Sequence, residues 1–539
     1  MRSSGSDTLN SGCFDPGQVA GMLTDGAATL ATSTAPVFTS ASYNFVAGDV
    51  GAAVFIGAGT NWRTGWYTIV SVAANAATLQ ATHEQYGLYP IGVSAFDGCA
   101  SVASPTGATW SIDYSRQASV QFTYTDITGA GAGLAVTSAA KPFGKQQVGN
   151  GVVMTGGVNV TAGLYILASV SGVTGTFLGA ANMVTGATVN GAGVMGGAFA
   201  SAGQCGLYFV GGNIINAKYN ASPFLSTNTT SNVALGRLTM AAGAAGGYSL
   251  LRGFDVVPGD QTANRPTLKW GVNAASNFLV SGTSRCSYQN IILDGNRANF
   301  TSTGGLTMAG GQAVVYRLKI MGCSVANTIS GTSARELEIT DCTQTIAMAA
   351  GTSSFAGCYF HDNTVSPLSI TTGVINIIGS IFDTNGGAGF TIAGGCVGSM
   401  IRGCTFYGNT GPGIAINSAP IGITIDNNIF EANTTYGITL AGVYAGVFLQ
   451  NNAYYNNPSG TVSAGMVPNY QNIGEIIYSS TAFVDGPNGD FRLNNAAGKA
   501  LNSAGAPAAF PGLAWANYQG LGASKNKSAS GGGGYFNPF

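Results

Sequence analysis

Charged side chains are scarce in this 539-residue chain: Asp, Glu, Lys and Arg make up 8% of it, against roughly 25% in ordinary soluble proteins. The formal net charge is -1, so no Lys/Arg stripe is available to displace counterions from phosphates, which argues against a nucleic-acid partner. Long apolar runs are missing as well. The stretch from Tyr436 to Leu449 is 14 residues, short of the ~18 a spanning helix needs, so no membrane span is expected. The opening Met1-Arg2-Ser3-Ser4-Gly5 lacks the apolar core of a signal peptide. Histidine is nearly absent, with His83 and His361 only, and none of the nine cysteines stands in a C-x-x-C pair. That spacing argues against a zinc site, and neither a metal nor a cofactor is expected. An odd cysteine count leaves at least one thiol unpaired.

The chain has 82 glycines and 45% apolar residues. Disorder goes with low hydrophobicity and high net charge, so this sequence is expected to fold, with a surface solvated by hydroxyls, amides and backbone.

Two repeats organise it. Residues 43–79 align without a gap onto 141–177 at an offset of 98, matching Phe45 with Phe143, Asn61 with Asn159 and Tyr67 with Tyr165. Alternation such as Tyr67-Thr68-Ile69-Val70-Ser71-Val72 reads as half-buried strand. The repeat predicts two small β-rich modules, 27–126 and 127–200, after an N-terminal arm at 1–26. Spacing or anchoring is the role they suit. Trp62 and Trp66 occur in the first module only, and suit a partner contact or a core position equally.

The second repeat decides the fold. Aromatics recur at Phe360, Phe382, Phe406, Phe430 and Tyr454, at spacings of 22, 24, 24 and 24, and each is followed three residues later by Asn363, Asn385, Asn409, Asn433 or Asn457. Apolar residues keep the same beat at Leu368, Phe390, Ile414, Ile438 and Val462, and at Phe355, Ile377, Ile401, Ile425 and Leu449. A unit of about 24 residues with three short strands cannot bury its apolar face alone, but stacked coils can. The asparagines would sit at a turn, tolerating left-handed backbone and bonding along the stack. Gly389, Gly413 and Gly437 would supply a bend. Cys323, Cys342, Cys358 and Cys404 each lie three residues after an inward aliphatic, where Ser380, Asn428 and Asn452 stand in other coils; reduced thiols there would act as small apolar filler. The coils are expected over 245–480, after a transition at 201–244. A C-terminal cap over the last coil is expected at 481–523, then a Gly/Ser-rich tail with terminal aromatics at 524–539, whose aromatics suit docking on a partner subunit.

The segments Arg402-Gly403-Cys404-Thr405-Phe406-Tyr407-Gly408-Asn409 and Asn427-Asn428-Ile429-Phe430-Glu431-Ala432-Asn433, with Asp490-Phe491-Arg492-Leu493-Asn494-Asn495 near the end, carry a resemblance. Residues 245–515 resemble the pectate-lyase-like superfamily of right-handed parallel β-helices, in the form found in phage tailspikes, fibres and virion proteins. The resemblance implies an all-β fold with a single-stranded right-handed parallel β-helix, and a homotrimer as in phage spikes. It says little about activity, because the superfamily holds lyases, hydrolases, adhesins and inert shafts.

One row of outward positions has chemical content: His361, Asp383, Tyr407, Glu431 and Tyr455. Stacking would put Asp383 and Glu431 two coils, roughly 9.6 Å, apart, which touches the inverting range for glycoside hydrolysis. Tyr407, Tyr455 and His361 are candidate glycan contacts. Against this, outward positions of a solenoid must be polar, and scattered acids align by accident, so no catalytic assignment is made and Asp383 and Glu431 stay weak candidates. Glu336, Glu338 and Asp341 read as a solvated face. Arg402 is the single basic residue between 336 and 491, which does not fit a lyase.

The function expected is therefore a phage virion structural protein, a spike, tail fibre or head-decorating protein serving attachment to a host surface. Its partners would be other virion proteins, met through the N-terminal modules, and a host surface glycan. It would be made in the host cytoplasm and released on the particle. A polysaccharide depolymerase, hydrolase or lyase, is the first alternative. A bacterial surface adhesin or self-assembling filament is the second.

Overall fold

A computed structural model describes residues 22–28, 36–62, 65–79, 105–114, 122–130, 135–178, 188–197, 214–221, 224–225, 238–240, 249–255, 264–271, 279–281, 286–299, 306–308, 313–324, 328–329, 331–348, 351–418, 420–442, 446–463 and 470–501. Cys13, Cys99, Cys205, His83 and the terminal aromatics lie outside these residues. The chain divides into two compact units, the first mainly before residue 210 and the second mainly after 267.

The first unit holds two closed six-stranded barrels. One runs from Leu23 to Asp113 and the other from Phe122 to Met195. The duplicated residues occupy like places. Ala53–Thr60 and Gly151–Val158 are equivalent strands, and the turn that follows each is made by Asn61 or Asn159, both with left-handed φ of 61° and 54°. Phe45 and Phe143 are buried in their barrels. The strand Phe122–Ala130 pairs with Thr188–Met195, so the second barrel takes in residues that the alignment put at the end of the first module. Tyr114 joins the two: its hydroxyl donates to Asp49 of the first barrel, and its N–H donates to Asn150 of the second. Trp62 belongs to the first barrel's core, edge-on to Phe38 at 5.6 Å.

The second unit is a right-handed parallel β-helix. Each regular coil gives two short strands to one sheet, such as Met400–Arg402 and Thr405–Tyr407, and one to the other, such as Ile414–Ile416. The repeating aromatics are in register from Phe360 through Phe382, Phe406 and Phe430 to Tyr454. Their rings stack at 4.6, 4.8, 4.9 and 5.2 Å, within 12° of parallel. Upstream, Leu268, Leu293, Ile320 and Ile339 continue the same inward column.

The asparagines form a buried ladder. Each amide nitrogen donates to the next Oδ1, from Asn363 to Asn385, Asn409, Asn433 and Asn457, at 2.9, 2.9, 2.8 and 3.0 Å. The left-handed residue of this corner is the one before the asparagine: Asp362, Thr384, Gly408, Ala432 and Asn456 have φ between 50° and 60°. The asparagine is there for its two-sided amide, and the backbone strain falls on its neighbour. This differs from the sequence expectation.

Two further expectations change. Gly389, Gly413 and Gly437 do not have positive φ; what they supply is space. A Cβ on Gly413 would lie 2.5 Å from the Phe430 ring and 2.8 Å from the Gly437 carbonyl oxygen. Gly413→Ala is expected to cost about 1–3 kcal/mol through overpacking, whereas Gly395→Ala, with open space around its Cβ, should be near neutral. Denaturant melts of the two variants check this. The cysteines, meanwhile, occupy two corners. Cys323 and Cys342 head the asparagine ladder, the Cys342 N–H donating to Asn363 Oδ1 at 3.0 Å. Cys358, Ser380, Cys404, Asn428 and Asn452 line the other corner, where the Cys404 N–H donates to Asn428 Oδ1 and Asn428 donates to Asn452. The six described cysteines are buried and form no disulfide, which suits small filler at tight corners.

Candidate functional site

Strand alternation puts the residues on either side of each inward aromatic on the outer face. The column after it runs Thr340, His361, Asp383, Tyr407, Glu431 and Tyr455, in register. The column before it runs Glu338, Tyr359, Ile381, Thr405, Ile429 and Ala453. The first is the row singled out from sequence, and the structure brings its members together as a stack. The second is largely apolar from Tyr359 onward. Apolar residues in outward register need a cover, and the sequence already carries this signal.

The cover is the chain's own C-terminal segment. Phe483–Asp485 and Asp490–Leu493 pair as an antiparallel hairpin, turned by Gly486–Asn488 with Gly489 in left-handed conformation, and the helix Ala497–Leu501 follows. Tyr359, Ile381, Ile429 and Ala453 are buried together with Ala482, Phe483, Phe491 and Leu501. The sequence placed a cap over the last coil; the described part, 481–501, instead lies along the side of the solenoid, because the apolar column it covers runs along that side.

The hairpin also closes over the row. The Tyr407 ring lies edge-on to Phe483 at 5.9 Å and to Phe491 at 5.4 Å. Gly486 comes so close that a Cβ there would be 2.8 Å from the Tyr407 ring. Glu431 is 2% exposed and accepts bonds from the Tyr478 hydroxyl at 3.0 Å, the Thr481 hydroxyl, and the Ala482 N–H at 3.1 Å. Asp383, 5% exposed, accepts from the Tyr359 hydroxyl at 2.9 Å and from Thr384. Burial raises both carboxyls above their ordinary range, although these donors pull them back. Burial, with Glu431 and Asp383 near, pushes Tyr407 up to about 12. Tyr455 stacks on Tyr478 at 5.3 Å. As folded, both acids are buried and bonded to donors of the protein itself.

His361 stands at the edge of the covered area, in a different setting. Its ring stacks on Tyr359 at 4.0 Å; Nε2 is 3.2 Å from Glu338 Oε1 and Nδ1 is 2.7 Å from Asp362 Oδ2. Lys319 Nζ reaches the same Glu338 oxygen at 2.8 Å. Burial would raise Glu338, but the His361 bond and the Lys319 charge hold it well below the usual carboxylate range. Burial would lower His361; Asp362 and Glu338 outweigh it and raise the imidazole. The acids read from sequence as a solvated face are each paired across coils: Glu336 with Arg317, Glu338 with Lys319, and Asp341 with Arg297. Lys269 pairs with Asp294 and Arg402 with Asp426.

The family comparison agrees on the fold. Residues 324–472 match the family of the right-handed beta helix region. No curated protein matches the sequence. Among solved structures the chain is similar to ORF18 of Geobacillus virus E2, at 12% identity and a TM-score of 0.38, over 54% of this chain and 59% of that one. It therefore spans about three-fifths of that protein. It is also similar to pectate lyase Pel9A, at 12% identity and a TM-score of 0.40, over 60% of this chain and 90% of the lyase. Tailspike protein 3 of bacteriophage CBA120 is similar at 10% identity and a TM-score of 0.29, over 50% and 52% of the two chains. These likenesses concern the fold alone. Among the described residues no helix is long and apolar enough to cross a membrane.

Proposed function

We propose that this chain is a phage virion structural protein, a spike, tail fibre or head-decorating protein, whose β-helix serves attachment to a host surface and does not cleave glycan at the Asp383/Glu431 row. The observation that carries the reading is the covered row. The acids in register two coils apart are buried, Glu431 bonded to Tyr478, Thr481 and Ala482 and Asp383 to Tyr359 and Thr384, while Phe483 and Phe491 pack on Tyr407 between them. A hydrolase needs that pair open to a sugar and a water. The remaining surface, poor in charge, and the tandem barrels suit a shaft with an anchoring end, the barrels meeting other virion proteins.

The test uses the purified full chain and intact particles. Labelled antibody to the chain should decorate virions in electron microscopy, and the protein should bind host cells without releasing reducing ends or unsaturated sugars from their polysaccharide. Release that disappears in Glu431→Gln would overturn the reading. One observation favours a depolymerase as the second reading: Glu338, His361 and Asp362 sit outside the hairpin, partly exposed, with Lys319 beside them. Polysaccharide cleavage abolished by Glu338→Gln and untouched by Glu431→Gln would support it.

A further inference from the structure

Cys323 and Cys342 sit on neighbouring coils at the head of the asparagine ladder. Their register follows from the backbone. The Thr343 N–H donates to the Cys323 carbonyl at 2.9 Å, as Thr364 donates to Cys342 at 3.0 Å and Thr410 to Asn385 at 2.8 Å. The residue before each cysteine has the left-handed φ of this corner, 62° at Gly322 and 54° at Asp341. Each thiol also lies against the carbonyl two residues back, Met321 at 3.5 Å and Thr340 at 3.4 Å. The two side chains therefore leave the backbone alike and stack. Among the described residues they are the one pair of cysteines on adjacent coils; at the other corner Ser380 stands between Cys358 and Cys404.

In-register strands hold such Cα atoms about 4.8 Å apart, inside the roughly 4.4–6.8 Å that a disulfide spans. Cβ atoms stacked at a like spacing need to close by only about 0.5 Å. The thiols also differ in reactivity. The hydrogen bond with Cys323 lowers Cys342, against burial and Asp341, and the Cys323 N–H and Arg297 pull the same way. Cys323 is raised, by its bond to Cys342 and by burial. Burial pushes Cys358 and Cys404 up to about 12 and Cys396 up to about 11. Because the thiolate is the nucleophile, Cys342 is placed to react first and Cys323 to resolve the product.

We infer that Cys323 and Cys342 are an oxidisable pair that closes into a disulfide between two coils, with a peroxide as the oxidant. The Cys342 thiolate attacks one oxygen of hydrogen peroxide and the O–O bond breaks, giving a sulfenic acid and hydroxide. The Cys323 sulfur then attacks the sulfenic sulfur, and the hydroxyl leaves as water with the Cys323 proton. The proton first lost from Cys342 neutralises the hydroxide. Two thiols and one peroxide thus give one disulfide and two waters, the sulfurs losing the two electrons that the peroxide gains. The bond ties the coil of Ala313–Met321 to that of Glu338–Thr340. Since the coils must close slightly to make it, it should be easily reduced. None of this depends on whether the protein adheres or cleaves.

The test exposes the folded full chain to hydrogen peroxide, alkylates the remaining thiols in denaturant, and maps the products by mass spectrometry after chymotryptic digestion. The expected product is a Cys323–Cys342 linked peptide, formed at least about tenfold faster than Cys358 or Cys404 loses its thiol, and reopened by dithiothreitol. Cys342→Ser should abolish it and Cys358→Ser should leave it unchanged. Both thiols still alkylatable at a peroxide dose that oxidises them in the unfolded chain would overturn the inference. So would linkage of either to another cysteine at equal yield.

Discussion

Asn409→Ala should destabilise the regular coils by about 3–5 kcal/mol, the largest effect expected of any single polar substitution in the solenoid. Asn409 is fully buried. Its Oδ1 accepts from the Asn385 N–H at 3.1 Å and the Asn385 amide at 2.9 Å, and its own amide donates to the Phe382 carbonyl at 3.1 Å and to Asn433 Oδ1 at 2.8 Å. Alanine removes all four bonds and leaves a backbone N–H and a carbonyl facing a dry corner. Each such group costs about 1–3 kcal/mol when unsatisfied. Coils hold one another only through their neighbours, so the loss should appear as early opening of coils 382–433. Asn409→Ser should lose less, because Ser380 already does part of this work at the other corner, its hydroxyl accepting from the Cys358 N–H at 3.1 Å. Denaturant melts with exchange mapping distinguish the two.

Glu431→Ala should release the hairpin while leaving the solenoid folded. It strands the Ala482 N–H and the Tyr478 and Thr481 hydroxyls at a buried contact, at a cost of about 2–4 kcal/mol to hairpin docking. The measurement is limited proteolysis, with cleavage inside 478–501 expected to accelerate while 374–440 stays intact. The same carboxyl gives docking a pH dependence. Burial raises Glu431 and Asp383 in the folded state, so their contribution is fully present below the ordinary carboxyl range and is lost as pH rises through the raised values. The other titratable groups facing them, Tyr359, Tyr407 and Tyr478, are all raised and stay protonated in that window. The hairpin should therefore be best protected in mild acid and more open at neutral pH, and Glu431→Gln should flatten much of that slope. The His361 pair near the hairpin's edge adds a term of mixed sign. Its raised imidazole also favours acid, whereas Glu338, held low, withdraws its support only in strong acid.

The coils were legible because every turn of a parallel β-helix presents the same inward environment, so one aromatic and one asparagine recur at a fixed beat. What the beat could not reveal was which of two corners a residue occupies. Each coil has an inward residue followed three positions later by a corner twice over, once after Phe355 and once after Phe360. The shorter upstream coils, with 19 residues between Ile320 and Ile339, give the sequence no means of assigning Cys323 and Cys342 to one corner or the other. The row His361, Asp383, Tyr407, Glu431 and Tyr455 was found from sequence, but its covering was not. The contact from Glu431 to Ala482 spans 51 residues and breaks the repeat. Its one local trace was the apolar parallel column of Tyr359, Ile381, Ile429 and Ala453 on a face that should have been polar.

The central claim is that this row is an internal contact and not an open groove. Hydrogen exchange at the Ala482 and Asn494 amides tests it most directly, since the first donates to Glu431 and the second closes the hairpin onto the Ala482 carbonyl. Slow exchange at both, lost in Glu431→Ala, is the expected result. Exchange at the rate of an unstructured chain, with Glu431 titrating at an ordinary glutamate value, would contradict it.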